Sequence, residues 1–228
     1  SAGGLIAIQE FLANVPPGSG LAFVVVQHLD PTHKAMLVEL LQRGTTMPVL
    51  EAAEGMRLAA DVVHVIPPNQ DMTVAAGLLH LAAPALPRGL RLPIDLLFSS
   101  LARDQGERAI GVVLSGMGSD GTLGLQAIKL LGGLTLAQAP DSAQFDSMPA
   151  SAIAAGCVDI VVPVAELPAR ILRVTAQAAA DAAQAADAST PALATILALL
   201  RERTKHDLSD YKPSTLRRRI QRRMAVHG

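Results

Sequence analysis

Three short motifs supply a serine, a histidine and an aspartate: Ser1-Ala2-Gly3-Gly4, Gln27-His28-Leu29-Asp30-Pro31 and Gly116-Met117-Gly118-Ser119-Asp120-Gly121. A serine hydroxyl is a weak nucleophile until a base takes its proton, and that base needs an orienting acid. Ser1, His28 and Asp120 are the candidates for these three roles. The two glycines after Ser1 permit close approach, and the first N–H groups of a helix beginning there are donors able to stabilise an oxyanion. Taken singly, an N-terminal serine reads as capping or disordered, and a histidine at a strand end reads equally as a general base or as a satisfied loop residue. An N-terminal-nucleophile hydrolase, with the free α-amine of Ser1 as base, is an alternative that leaves His28 and Asp120 as coincidences.

The third motif has a second reading. Gly116 to Gly121 satisfies G-x-G-x-x-G between a strand pattern and a helix pattern, and Asp141 follows about 20 residues on, as in dinucleotide-binding proteins. Against this, Asp120 would set a carboxylate at the N-terminus of the following helix, where a pyrophosphate needs room and positive potential. As an N-cap of the helix at 122–131, Asp120 is compatible with either role. Asp30 and Asp141 are rival carboxylates for orienting the histidine. His33, His64, His80, His206 and His227 lie in weaker contexts and read as surface or core residues. Cys157, in an apolar stretch at 153–158, reads as buried. A single cysteine forms no internal disulfide, and no His/Cys spacing suggests zinc, so a reducing cytoplasm and no structural metal are expected.

The elements that must position these groups are legible as patterns. Apolar, β-branched runs at 21–27, 62–66, 109–115, 134–137 and 160–162 predict buried strands. Met36, Leu37, Leu40 and Leu41 share a helix face, with Asp30 as N-cap and Pro31 at the first helical position. Ile94, Leu97, Phe98 and Leu101 predict a second helix, and Leu125, Ile128 and Leu131 a third. Alternating strands and helices imply an α/β fold with a doubly wound, mainly parallel sheet and helices on both faces, followed by a small helical segment. In such a sheet the strand-to-helix loops share the carboxyl edge, so the three motifs can meet there. Residues 72–74 and 78–81, around Ala76-Gly77, read as a hairpin.

With 228 residues, half of them hydrophobic, and a mean hydropathy of +0.35, the chain can bury a full α/β core and begin a second unit. No apolar run approaches the roughly 20 residues of a membrane span, and nothing resembles a signal peptide. Residues 177–190, almost entirely Ala with Asp and Gln, predict a linker, helical or not. Leu193, Ile196, Leu197 and Leu200 then restart an amphipathic helix, and Leu216 and Ile220 anchor another. The net charge of -1 hides an asymmetry, because residues 201–228 carry +6 and leave -7 for the rest. Arg217, Arg218, Arg219, Arg222 and Arg223 form a solvated helix face or a site for an acidic partner or nucleic acid. Only Tyr211 accompanies them as an aromatic, which weakens the single-strand nucleic-acid case. The absence of an initiator methionine, and an end inside a helical pattern, suggest a piece of a longer protein.

With these motifs the chain resembles the catalytic domain of the chemotaxis protein-glutamate methylesterase family, CheB, from Ser1 to about Thr175. The family's S-[TA]-G-G, Q-H and G-M-G-x-D-G motifs are met by Ser1 to Gly4, Gln27-His28 and Gly116 to Gly121. Further matches are Val65-Ile66-Pro67-Pro68, Leu92-Pro93-Ile94-Asp95-Leu96-Leu97-Phe98, and the stretch from Gln138 through Ser147-Met148-Pro149 to Asp159. The tail, from Leu200 through Tyr211-Lys212-Pro213-Ser214-Thr215-Leu216 to Met224, is similar to the start of the N-terminal helical domain of the chemoreceptor methyltransferase, CheR. The expected organisation is a CheB-like domain at 1–176, the linker at 177–190 and the beginning of a CheR-like domain at 191–228, as in a CheB/CheR fusion.

This resemblance implies hydrolysis of glutamate γ-methyl esters on chemoreceptor cytoplasmic helices, in some members with deamidation of glutamine. It implies Ser1 as nucleophile, His28 as general base and then acid, Asp120 as orienting carboxylate, and backbone N–H groups of Ala2 and Met117 as oxyanion-hole donors. No cofactor is expected for the esterase; S-adenosylmethionine is expected only with the remainder of the methyltransferase part. The other domains of the fusion are expected partners, with neither nucleic-acid binding nor membrane insertion. Ala2 replaces the threonine common after the serine, and Ala150 stands where Met-Pro-Arg is common. The family also has a strand leading into the serine, whereas here Ser1 opens the chain and its charged amine would take that place.

Overall fold

The computed structural model of the chain describes residues 3–27, 36–87, 90–185 and 191–204, together with helical positions 216, 220 and 224. Two compact units are present, Ser1–Ala169 and Arg170–Gly228. In the first, the elements run α1 (Gly4–Ala13), β1 (Phe23–Val25), α2 (Met36–Gln42), β2 (Val49–Glu51), β3 (Val63–Val65), β4 (Asp71–Ala75), β5 (Leu78–Ala82), α3 (Pro93–Gln105) and β6 (Ile110–Val113). They continue with α4 (Thr122–Leu130), β7 (Leu134–Gln138), α5 (Ser147–Ala154) and β8 (Ile160–Val162).

The fold is the α/β class read from the sequence, with parallel strands and helices on both sides. The parallel strands pair as two sets of three, in the orders β1-β3-β2 and β6-β7-β8. β7 is buried at all five positions, as a strand covered on both faces should be. Crossover helices α4 and α5 connect β6 to β7 and β7 to β8, the connection that parallel neighbours require. All five expected strands are present, and β2 is an additional one. It is three residues long, follows Pro48, and leaves Leu50 and Glu51 exposed, so it forms no apolar run to read.

The expected hairpin is β4 and β5, antiparallel with Ala75 opposite Leu78. Ala76 (φ 52°) and Gly77 (φ 72°) form its turn. Two successive left-handed residues match the twist of the flanking strands. Met72, Val74 and Leu79 join Ile94, Leu97 and Phe98 of α3 and Leu125 and Ile128 of α4 in one core. Ser100 stitches the hairpin to α3, accepting the Val74 N–H at 3.0 Å and donating to the Leu97 carbonyl at 2.8 Å.

Spanning the division between the units, α6 (Leu167–Ala185) carries helix through the described part of the Ala-rich stretch. α7 (Pro191–Thr204) follows where the amphipathic pattern restarts. Leu216 is helical and buried, while the arginines at 217, 218, 219, 222 and 223 lie outside the described residues. Among the described residues no helix is long and apolar enough to cross a membrane.

Candidate active site

Asp120 lies in the loop between the carboxyl end of β6 and the start of α4, and only 5% of it is exposed. Its Oδ1 accepts the Asp95 N–H at 2.9 Å and its Oδ2 the Ile94 N–H at 3.1 Å. These donors belong to the first turn of α3, which opens with Pro93 and has no cap from its own Leu92 side chain. The two donors from α3 fix both of its oxygens. A buried carboxylate oriented at a strand's carboxyl edge is the kind of group able to orient a catalytic imidazole.

The role of Asp120 as a cap on its own helix is corrected by this geometry. Gly121, at φ 96°, occupies the N-cap of α4, which has no side-chain cap of its own. Asp95 serves that helix instead, its Oδ1 accepting the Gly124 N–H at 2.7 Å. The two carboxylates therefore cross over, each holding the N-terminus of the other's helix. Burial pushes the Asp95 carboxyl above its ordinary value; the Gly124 N–H opposes that and the charge of Asp120 adds to it. The same crossing argues against a dinucleotide at Gly116 to Gly121. Donors that would bind a pyrophosphate at the start of α4 are already engaged by a carboxylate.

The serine motif reaches this loop through Gly3. That residue has φ 69°, and a Cβ on it would lie 2.6 Å from Ser115 Oγ and 3.0 Å from Gln144 Cβ. Close approach at this glycine is thus to the chain's own β6 loop, which brings the first and third motifs together. The loop is fastened to the segment before α5. Ser115 Oγ accepts the Phe145 N–H at 3.0 Å, and the Ser115 N–H goes to Gln138 Oε1 at 2.9 Å. The Gly116 N–H goes to the Phe145 carbonyl at 3.0 Å and the Gly118 N–H to Ser147 Oγ at 3.2 Å. Between these committed donors, the Met117 N–H takes no partner among the described residues, and its side chain is 65% exposed. That is the disposition expected of an oxyanion donor.

Ser1, Ala2, His28 and Asp30 lie outside the described residues, so the meeting of Ser1, His28 and Asp120 is not on view. Gln27, just before His28, has a buried side-chain oxygen with no hydrogen-bond partner among the described residues. The rival Asp141 is exposed in a short turn after β7. His64 is a core residue, 1% exposed, with Nδ1 3.0 Å from the Phe23 carbonyl oxygen. His80 pairs with Glu54 on the surface at 2.8 Å. Cys157 is buried as expected, and burial pushes its thiol up, away from nucleophilic use. Among the described residues no group of three or more His, Cys, Asp or Glu side chains could hold a metal ion. Asp95 was not among the candidates read from the sequence, because an acidic residue in a helix's first turn is ordinary there.

A parallel α/β domain with a buried carboxylate at one strand's carboxyl end, and beside it an N–H that has no partner among the described residues, is compatible with the class of serine hydrolases. Comparison with known proteins narrows it. The family model described as CheB methylesterase matches residues 1–171, and the model described as CheR methyltransferase, all-alpha domain, matches residues 191–228. The chain belongs to the CheB methylesterase family, and it joins that domain to a CheR-type segment. It is 38% identical over 177 residues to protein-glutamate methylesterase/protein-glutamine glutaminase 3 of Paramagnetospirillum magneticum, covering 77% of this chain and 50% of that one. It is 39% identical over 214 residues to a 104.1 kDa protein of Rhodobacter capsulatus, covering 83% of this chain and 22% of the other. The chain thus spans half the length or less of these two relatives. In structure it is similar to the Thermotoga maritima CheB methylesterase catalytic domain, with TM-score 0.67 and 26% identity over 75% of this chain and 92% of that one.

Proposed function

We propose that residues 1–176 form a protein-glutamate methylesterase that hydrolyses γ-methyl esters of glutamate on chemoreceptor cytoplasmic helices. The observation that carries this reading is the buried Asp120 carboxylate, held by two α3 donors beside the loop that Gly3 touches. The relatives named protein-glutamate methylesterase/protein-glutamine glutaminase support the substrate class.

In the proposed reaction Ser1 Oγ attacks the ester carbonyl as His28 takes its proton. Asp120 orients the imidazole and stabilises the imidazolium, and the N–H groups of Met117 and Ala2 receive the oxyanion. The C–O bond to the methoxy group then breaks, and the His28 proton leaves with it as methanol. Water, deprotonated by His28, cleaves the acyl-serine; His28 returns that proton to Ser1, and the glutamic acid side chain released gives its remaining proton to solvent to become the carboxylate. A glutamine side chain entering the same cycle would lose ammonia, the second activity in the relatives' names. The reading requires no cofactor for this domain. S-adenosylmethionine belongs to the CheR side, the cytoplasm is the expected compartment, and 177–190 is read as the linker between 1–176 and 191–228.

Methanol release from a methylated receptor fragment tests the proposal. Ser1→Ala and His28→Ala should each abolish most turnover, and the double variant should cost little more, because nucleophile and base act as a unit. Undiminished methanol release from Ser1→Ala would contradict it.

A further inference from the structure

The crossing of Asp95 and Asp120 gives Asp95 a task that its place in the first turn of α3 does not reveal. Asp120 sits in the turn leading into α4, so the position of its carboxylate depends on where α4 begins. That beginning is held by Asp95 through the Gly124 N–H at 2.7 Å. The two helix starts are also in direct contact. A Cβ at Gly124 would lie 2.4 Å from Phe98 Cβ and 3.1 Å from Asp95 Cα. A Cβ at Gly121 would lie 2.9 Å from Ile94 Cγ2. Ile94 is one of the two residues whose N–H groups Asp120 accepts. Each carboxylate thus closes a ring with the other, from the Asp120 oxygens to the α3 N–H groups, through Asp95 to the Gly124 N–H of α4, and back along the chain to Asp120. Both side chains are buried, Asp95 at 8% and Asp120 at 5% exposure, so neither reaches these donors as a mobile surface group.

We infer that Asp95 is a positioning residue for the esterase reaction, fixing the Asp120 carboxylate by tying the start of α4 to the start of α3. The inference rests on the proposed role of Asp120. It is geometric: what matters is an acceptor at the reach of Asp95, and displacement of a catalytic group by about 1 Å can cost a factor near 10². Asp95→Asn keeps an oxygen acceptor for the Gly124 N–H, and Asn caps helices as well as Asp does. Asp95→Glu keeps the charge and moves the acceptor by one methylene.

The experiment measures kcat and KM for methanol release with Asp95→Asn, Asp95→Glu, Asp120→Asn and the Asp95→Glu/Asp120→Asn double variant. Asp95→Asn should hold kcat within about fivefold, while Asp95→Glu should lower it by about tenfold or more with KM little changed. In the Asp120→Asn background, Asp95→Glu should add less than about threefold, since it acts through the group already disabled. If Asp95→Glu does not fold, Asp95→Ser, a shorter acceptor, takes its place with the same expectation. A kcat for Asp95→Glu equal to wild type, a loss larger with Asn than with Glu, or a full loss repeated in the Asp120→Asn background would overturn this inference alone. A wild-type kcat for Asp120→Asn would overturn the triad reading and this inference with it, and that result is read from Asp120→Asn by itself.

Discussion

At the scale of single residues, burial and partners separate groups that look alike in the sequence. Asp120, Asp141 and Asp95 are all aspartates near strand or helix ends; one is buried on two N–H groups, one is exposed, and one is buried on the other helix. The Asp95 carboxyl titrates above its ordinary 3.8 because burial disfavours its charge. An acid with a raised folded-state pKa stabilises the fold in its protonated form. That contribution is fully present below the unfolded value and is lost as pH rises through the folded one. Asp95→Asn removes it, so the unfolding free energy of the variant minus that of wild type should rise with pH from about 3.8 upward and level off above the folded value. Urea melts across this range measure the difference; a flat or falling one would show that the burial of Asp95 is not what shifts it.

At the scale of elements, the site depends on two helices meeting at their starts, and Gly124 makes that contact possible. Gly124→Ala would force a methyl group into Phe98 and the Asp95 backbone and should destabilise the domain by about 1–3 kcal/mol, although alanine is the better helix former. A rise in melting temperature would contradict the packing. Much of this level was legible in advance. The strands in buried runs, the hairpin around Ala76-Gly77 and the helices carrying Ile94 and Leu125 all announce themselves through local periodicity. β2 did not, being three residues with two exposed, and neither did the crossing of the carboxylates. Local sequence places Asp120 before α4 and Asp95 within α3, but only long-range packing determines that each serves the other helix. The close approach of Gly3 to Ser115, beside the aspartate motif, also required the fold.

At the scale of the whole molecule, the chain carries a CheB domain and a CheR all-alpha segment, and the helix α6 continues from one compact unit into the next. If 1–176 holds everything the esterase needs, that segment expressed alone should melt within a few degrees of the full chain and release methanol at the same kcat. A large loss in either would place part of the machinery beyond residue 176. The central claim, that Asp120 is the carboxylate behind a Ser1-His28 pair, is tested most directly by kcat for methanol release in Asp120→Asn beside Asp30→Asn and Asp141→Asn. The expected result is a loss of about 10⁴-fold for Asp120→Asn with fold and KM retained, the scale seen when a triad acid elsewhere loses its hold on the histidine tautomer, and near wild-type rates for the other two. A near wild-type rate for Asp120→Asn with an inactive Asp30→Asn or Asp141→Asn would contradict it.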